Sequence, residues 1–200
     1  MPTSTANVAT NVSTGKPKIA GSIYRALLSA NTTIPTTASA TLSSDFKCLG
    51  YIGDDGVKNG SSIENDKVKA WGGDVVLSYQ KGRTDTFEFK MIEVLNEEVL
   101  KAVYVDANVT VTAATSSAPK SIAVAVNNAE QPDCVFVIDM VMRGNNPKRI
   151  VIPCAKISDV AEIVYKDDEA VGYDVTVTAA ADSSGNTHYE YMTVGTATGT

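Results

Sequence analysis

The residues of this chain that could do chemistry are one histidine, His188, three cysteines and two short acidic runs. A histidine can serve as general base to a serine or cysteine nucleophile, but His188 stands between Thr187 and Tyr189-Glu190 in a strand-like segment, with no local nucleophile motif. It is expected to be a surface strand residue. Cys48, Cys134 and Cys154 lie far apart, and no two Cys or His fall at zinc-ligand spacing. Their odd number cannot close into a full set of disulfides, which points to a reducing compartment. Cys134 and Cys154 sit among apolar residues and are expected to be small core hydrophobes. Asp54-Asp55 and Asp167-Asp168-Glu169 offer carboxylates but do not fit a calcium-loop spacing, and turns are acidic for ordinary reasons. Gly50, Gly53 and Gly56 match neither a dinucleotide nor a phosphate-loop pattern. Glycoside hydrolysis needs two acids on a sugar-binding cleft, yet the chain is only 6% aromatic with a single Trp. These residues imply no enzyme activity, no metal and no cofactor.

The elements that would have to position any site are strands. Two hundred residues suffice for one domain with a sizeable core. A net charge of -6 argues against binding a phosphate backbone, and an acidic wall repels DNA. No apolar run reaches the roughly 20 residues of a membrane span. The start, Met1-Pro2-Thr3-Ser4-Thr5, lacks the basic and apolar regions of a secretory signal, so the chain is expected to fold where it is made, away from membranes.

Residues 1–20 are mostly Thr, Ser, Ala, Asn and Val and are expected to form a mobile arm; residues 193–200 repeat that composition as a C-terminal tail. Residues 21–192 are expected to form one domain. A first strand is expected over 21–28, interrupted at Ile34-Pro35 and followed by a Ser/Thr loop. Residues 46–52 read as a strand ended by the turn Gly53-Asp54-Asp55-Gly56. Residues 58–69 read as a long exposed loop, with Trp71 capping the core where it returns. Val75, Leu77 and Tyr79 alternate with Asp74, Val76, Ser78 and Gln80, and Lys81-Gly82-Arg83 is expected to turn the chain into a returning strand. On that strand Phe87, Phe89 and Met91 share a buried face, while Thr84, Thr86, Glu88 and Lys90 share a wet one.

Asn96-Glu97-Glu98 opens the one expected helix: Asn caps free N–H groups, the acids face the positive helix end, and Val99, Leu100, Val103 and Tyr104 form a stripe. Further strands are expected over 109–114, 122–126, 134–143, 149–152, 162–165, 173–178 and 187–192. The fold class is therefore mainly β: a single β-sandwich or barrel with one short flanking α-helix, an extended hairpin and loop, and flexible terminal arms.

The ordered motifs Gly21-Ser22-Ile23-Tyr24-Arg25-Ala26, Ile34-Pro35-Thr36-Thr37, Leu49-Gly50-Tyr51-Ile52-Gly53-Asp54-Asp55-Gly56-Val57, Ala70-Trp71-Gly72-Gly73 and Thr86-Phe87-Glu88-Phe89 carry a family resemblance. Over residues 20–105 the chain resembles the major tail protein of long, flexible-tailed bacteriophages. The resemblance implies six copies per ring, and stacked rings that form a tail tube conducting DNA. It also implies assembly in the host bacterial cytoplasm, residence in the virion tail, and contact with tape-measure, tail-terminator and distal-tail proteins. A loop, a hairpin and terminal arms would bind neighbouring copies, with Asp54, Asp55, Lys58, Lys67 and Trp71 as candidate anchors.

A polar sheet face made of Ser78, Gln80, Thr84, Thr86, Glu88 and Lys90 is the candidate lumen lining, since sheets joined edge to edge can enclose a channel. The alternative is a non-enzymatic binding module, a capsid-decoration or carbohydrate-binding β-sandwich, using Trp71 and Tyr51 as an aromatic platform. Because residues 1–19 have too little apolar bulk to add to a core, their deletion is expected to leave the monomer's melting temperature nearly unchanged while weakening ring stacking. Calorimetry and electron microscopy of the truncated chain check the two halves of that expectation.

Overall fold

The structure, a computed structural model, describes residues 7–195. The first six residues of the expected N-terminal arm and the last five of the expected tail lie outside the described residues. In chain order the elements are β1 (Lys16–Pro17), β2 (Ile23–Leu27), β3 (Lys47–Cys48), β4 (Ile52–Lys69), β5 (Val75–Met91), α1 (Glu97–Tyr104), β6 (Val109–Thr112), β7 (Ser121–Val124), β8 (Cys134–Met142), β9 (Asn146–Val160), β10 (Tyr173–Ala179) and β11 (Tyr189–Met192). One large antiparallel sheet has the order β3-β2-β8-β9-β10-β5-β4, with β1 also on β8 and β11 also on β9. The strands β6 and β7 form a second, small sheet, and neither sheet closes.

The core is built from the expected alternation. Phe87, Phe89 and Met91 of β5, Val175 and Val177 of β10, and Ile150 and Ile152 of β9 pack with Val99, Leu100 and Val103 of α1 and with Val109 of β6. Each such side chain contributes about 1.5–3 kcal/mol on burial. The helix begins as its sequence dictates: the Asn96 side chain accepts a hydrogen bond from the Glu98 N–H at 3.0 Å, with Glu97 and Glu98 in the first turn.

Residues 134–138, Cys-Val-Phe-Val-Ile, are buried on both faces, the mark of a central strand without polar alternation. Their second face, Val135 and Val137, meets Ala26, Val151 and Phe46 beneath the Ser/Thr loop. That loop is pinned by Arg149. Its guanidinium pairs with Asp139 at 2.6 and 2.8 Å and donates to the Thr37 and Ala40 carbonyls at 3.3 and 2.7 Å.

The largest departure from the sequence expectation lies between residues 53 and 83. Residues 58–69 are no loop; they belong to β4, an 18-residue strand paired with β5 along almost its whole length. Both faces of this hairpin are wet, so it carries no period-2 signal, and its Ser, Asn, Asp and Gly residues have low strand propensity. Gly53-Asp54-Asp55-Gly56 does not end a strand. Those four residues bulge out of β4 opposite the single residue Lys90, with Gly56 at φ +70°. Of residues 46–52, only 47–48 (β3) and Ile52 are in strands.

Lys81-Gly82-Arg83 makes no turn either: Lys81 is an extra residue inside β5, between the pairs Glu64↔Gly82 and Asn65↔Gln80. The turn is at residues 70–74, where the Ala70 N–H donates to the Asp74 carbonyl at 2.8 Å and Gly72 and Gly73 adopt φ of +122° and +101°. Trp71 caps nothing; it stands fully exposed on that turn.

The remaining corrections have local causes. The strand expected over 149–152 runs through Asn146–Val160, because Pro153, which lacks an N–H, sits where the register with β8 slips and between the stretches of β9 that face β11 and β10. Residues 162–165 form no strand, since pairing with β10 ends at Val160. Residues 16 and 17 of the expected arm pair with Val141 and Met140. Ser13 Oγ accepts from the Arg143 N–H at 2.6 Å, and Arg143 Nη1 donates to the Ala9 carbonyl at 2.8 Å.

The last pairing of β5 with β10 is Asp85↔Ala179. Beyond it, residues 62–84 form a two-stranded ribbon held, among the described residues, only by β4–β5 bonds. Its ten residues from Thr84 to Val75 reach about 33 Å at roughly 3.3 Å per residue. Because this ribbon adds nothing to the core, replacing residues 64–82 by Asn-Gly is expected to move the melting temperature by only a few degrees. Phe87→Ala is expected to cost about 3–5 kcal/mol. Thermal and urea unfolding of the two variants separates ribbon from body.

Candidate functional site

The residues first singled out for chemistry are locked into structure. His188 is not a surface strand residue: it precedes β11 and stacks edge-on against Phe87, ring centroids 5.3 Å apart, with its side chain 15% exposed. Its Nδ1 lies 3.3 Å from Thr187 Oγ1 and 3.8 Å from Asp85 Oδ2. A catalytic triad needs hydroxyl and carboxylate on opposite ring nitrogens. Here both approach the same nitrogen, and the Thr187 hydroxyl donates directly to Asp85 at 2.5 Å. Cys134 is buried, and burial pushes its thiol up despite the Arg25 guanidinium at 3.2 Å. Burial pushes up the Cys154 thiol as well, so neither favours the reactive thiolate. Among the described residues no cluster of three His, Cys, Asp or Glu could hold a metal.

The expected wet face is present, and larger than expected. Thr84, Thr86, Glu88 and Lys90 lie on the side of β5 opposite Phe87 and Phe89. Register carries this surface onto β10, where Asp174, Thr176 and Thr178 face Lys90, Glu88 and Thr86. From β10 it continues to Asp159 and Lys156 of β9. Ser158, the extra residue there, donates to the Thr176 carbonyl at 3.1 Å and sits 2.7 Å from Thr178 Oγ1. On β4 the same face ends in Lys58 and Gly60. The alternation Tyr173-Asp174-Val175-Thr176-Val177-Thr178 was a readable signal for the β10 part, as the alternation of 84–91 was for β5; that the two strands lie side by side was not.

The charges on this face are uneven. Lys90 pairs with Glu169 at 3.3 Å, Lys156 with Glu130 at 2.6 Å, and Lys58 with Asp55 at 3.9 Å. Glu88, Asp159 and Asp174 have no cation partner among the described residues.

Ser78 and Gln80 do not share the face of Thr84 and Thr86. The extra residue Lys81 reverses the alternation: Gln80 and Ser78 stand opposite Asn65 and Lys67, on the side of β4 that carries Ile63 and Ser61. The candidate anchors also separate into two groups. Asp54, Asp55 and Lys58 lie in and beside the bulge at one end of β4, whereas Lys67 and Trp71 lie at the other end. The ribbon between carries exposed Ile63, Val68, Val75, Val76, Leu77 and Tyr79. Lys67, Lys69 and Lys81 have no ion-pair partner among the described residues.

The ribbon is fixed at its root by a group that sequence reading missed, Asp85. It is fully buried and accepts from Arg83 Nε at 3.0 and 3.1 Å and from Thr187, with Ser61 also hydrogen-bonded to it. Burial alone raises its carboxyl, but the hydrogen bonds from Thr187, Ser61 and Arg83, together with the charge of Arg83, outweigh that and hold it below the usual carboxylate range. Its place in a run of alternating residues gave no warning, because apart from Arg83 on the same strand its partners come from β4 and from the segment before β11.

No curated protein matches the chain. Among solved structures it is similar to the anti-feeding prophage cap, a tube-terminating cap, at a TM-score of 0.42 and 7% identity, covering 96% of this chain and 100% of that one. The sequence pattern of a family described as phage tail tube protein matches residues 16–198, nearly the whole length, and the chain therefore belongs to the phage tail tube protein family.

Proposed function

We propose that this virion structural protein is the tube subunit of a long, flexible-tailed phage, assembling into stacked hexameric rings whose lumen conducts DNA. The observation that carries the reading is the wet face of β4-β5-β10-β9. Its hydroxyls offer weak, replaceable contacts. Its lysines are already ion-paired, leaving Glu88, Asp159 and Asp174 as its unpartnered charges. Such a wall repels phosphate and gives a sliding duplex nothing to grip. Among the described residues β4 pairs on only one edge, so sheets of adjacent copies can join there and remove each other's free edges. Thr84, Thr86, Glu88 and Lys90 then face the lumen, while Ser78 and Gln80 lie on the ribbon's other side.

The ribbon is the arm that grips a neighbour. A two-stranded hairpin is marginal in water by itself, and its exposed apolar side chains gain area only on a partner. Asp85 aims it. Tape-measure, tail-terminator and distal-tail proteins meet the ends of the stack, and the subunits assemble in the host cytoplasm. The aromatic-platform alternative loses support, because Tyr51 and Trp71 stand at opposite ends of β4 and cannot face one ligand.

Electron microscopy of the concentrated protein tests the proposal: rings or tubes with a central channel are expected, and a chain that stays monomeric under all conditions overturns it. In phage carrying Thr84→Lys, Thr86→Lys and Glu88→Lys, tails of normal length and reduced infectivity are expected; normal infectivity would remove this face from the lumen. Asp85→Ala is expected to cost about 2–4 kcal/mol. Because the folded-state pKa of Asp85 is depressed below its unfolded value near 3.9, its contribution is full above that pH and is lost as pH falls through the folded value. The stability gap between wild type and Asp85→Asn, read by urea unfolding, should therefore narrow from pH 5 towards pH 2.

A further inference from the structure

The ribbon has two faces of opposite charge. Register places Ile63, Asn65, Lys67 and Lys69 on one side of β4, opposite Arg83, Gln80, Ser78 and Val75 of β5. Glu64, Asp66 and Val68 lie on the other side, opposite Gly82, Tyr79 and Leu77. That second face continues the wet wall of Thr84, Thr86 and Glu88, and its two acids extend the wall's negative character. The first face continues the side on which Phe87 and Phe89 join the core, but beyond Asp85 nothing covers it among the described residues. Arg83 is answered there by Asp85, whereas Lys67 and Lys69 have no ion-pair partner among the described residues. From Ile63 to Lys69 no acid shares their side, and Asp74 belongs to the turn beyond. Exposed Ile63 and Val75 add apolar area to this cationic face.

An answering surface lies at the opposite end of the molecule. Ser61, Asp85, Ala179 and Ala155 mark one level of the sheet, and from it β4 carries Lys67 about 20 Å one way, at roughly 3.3 Å per residue. By the same measure β5 runs about 20 Å the other way to Met91, which pairs with Tyr173 at the start of β10. The segment joining β9 to β10, residues 161–172, emerges at that end. It carries Glu162, Asp167, Asp168 and Glu169 against the single Lys166. Glu169 holds both Lys166 and Lys90, which leaves Glu162, Asp167 and Asp168 without a cation among the described residues. Val164 and Tyr165 of the same segment stand exposed. About 40 Å of strand separates this surface from Lys67, so the two cannot meet within one subunit. They meet when copies stack end to end in one orientation, a head-to-tail contact that repeats without closing on itself.

We propose that the cationic face of the ribbon docks on residues 162–168 of the copy stacked beyond it, with Lys67 and Lys69 answered by Asp167 and Asp168, and with Ile63 and Val75 covered by Val164 and Tyr165. This rests on the tube reading above and names the contact between its rings. Charge and apolar area together select the occupant. A DNA duplex would also answer the lysines, but Glu64 and Asp66 on the reverse side repel phosphate, and a phosphate backbone offers no cover to Ile63 and Val75. Because the two surfaces lie at opposite ends of the subunit, the contact gives the stack a direction.

The test uses the full-length protein and reads the concentration needed for tubes, by sedimentation and electron microscopy. Lys67→Glu with Lys69→Glu, and separately Asp167→Lys with Asp168→Lys, each raise it at least about tenfold; the chain carrying all four changes, with the charges exchanged, returns to within about threefold of wild type. All four positions are exposed, so melting of the unassembled variants stays within a few degrees of wild type; if the chain with Asp167→Lys and Asp168→Lys unfolds, Asp168→Lys paired with Lys69→Glu takes its place. A fourfold variant no better than the worse double, or doubles that assemble like wild type, overturn the contact while leaving the tube reading standing. Lys67→Glu, Lys69→Glu tubes that form normally but no longer retain a short DNA duplex also overturn it, by making phosphate the partner. A wild-type chain that never assembles removes the tube reading itself, and the contact with it.

Discussion

Asp85 and Ala179 form the last cross-strand pair between β5 and β10, and the character of β5 changes at that pair. On one side its second edge is covered, its odd residues reach the core, and its even residues make a wet wall. On the other side the same strand continues with β4 alone and is wet on both faces. A buried carboxylate at this junction ties Arg83 of the ribbon to Thr187 of the body, with Ser61 opposite it on β4. Without such an anchor a two-stranded ribbon would leave the sheet at any angle. With it, the direction of the ribbon is a property of the folded subunit, set before any partner arrives.

The sequence was legible where one face of an element is buried and illegible where none is. Phe87, Phe89 and Met91 announced their strand, and Asn96-Glu97-Glu98 announced the helix, because burial imposes a period and free N–H groups impose a cap. The ribbon has no buried face, so Gly60-Ser61-Ser62 read as a loop and Lys81-Gly82-Arg83 as a turn. What makes these residues strand is the partner strand, which composition does not name. The same blindness split the candidate lumen set. A single extra residue at Lys81 moves Ser78 and Gln80 to the other side of the sheet, and no pattern in β5 alone reveals it. Asp85 was hidden for a related reason: its donors are 24 and 102 positions away in the chain, or two residues along the same strand.

Charge is distributed with the same economy. Lysines on the wet face are each matched by an acid nearby, whereas those of the ribbon are left unmatched. An unpaired lysine on an open wall attracts phosphate, whereas one on a protruding ribbon gains a partner only against another surface. Among the described residues the net charge of -6 is thus spread unevenly, with unpaired acids on the wet face and unpaired lysines on the ribbon.

The free edge of β4 sharpens that distinction. An 18-residue edge with unpaired backbone groups is a template for any strand it meets, and proteins that expose one blunt it with charge and bulges. Both devices are present. Lys58, Lys67 and Lys69 stud the edge, and the four-residue bulge at Gly53-Asp54-Asp55-Gly56 breaks its register near the body. An edge so interrupted cannot zip onto an arbitrary strand along its length. Any strand that does join it must accommodate the bulge and answer the lysines with acids.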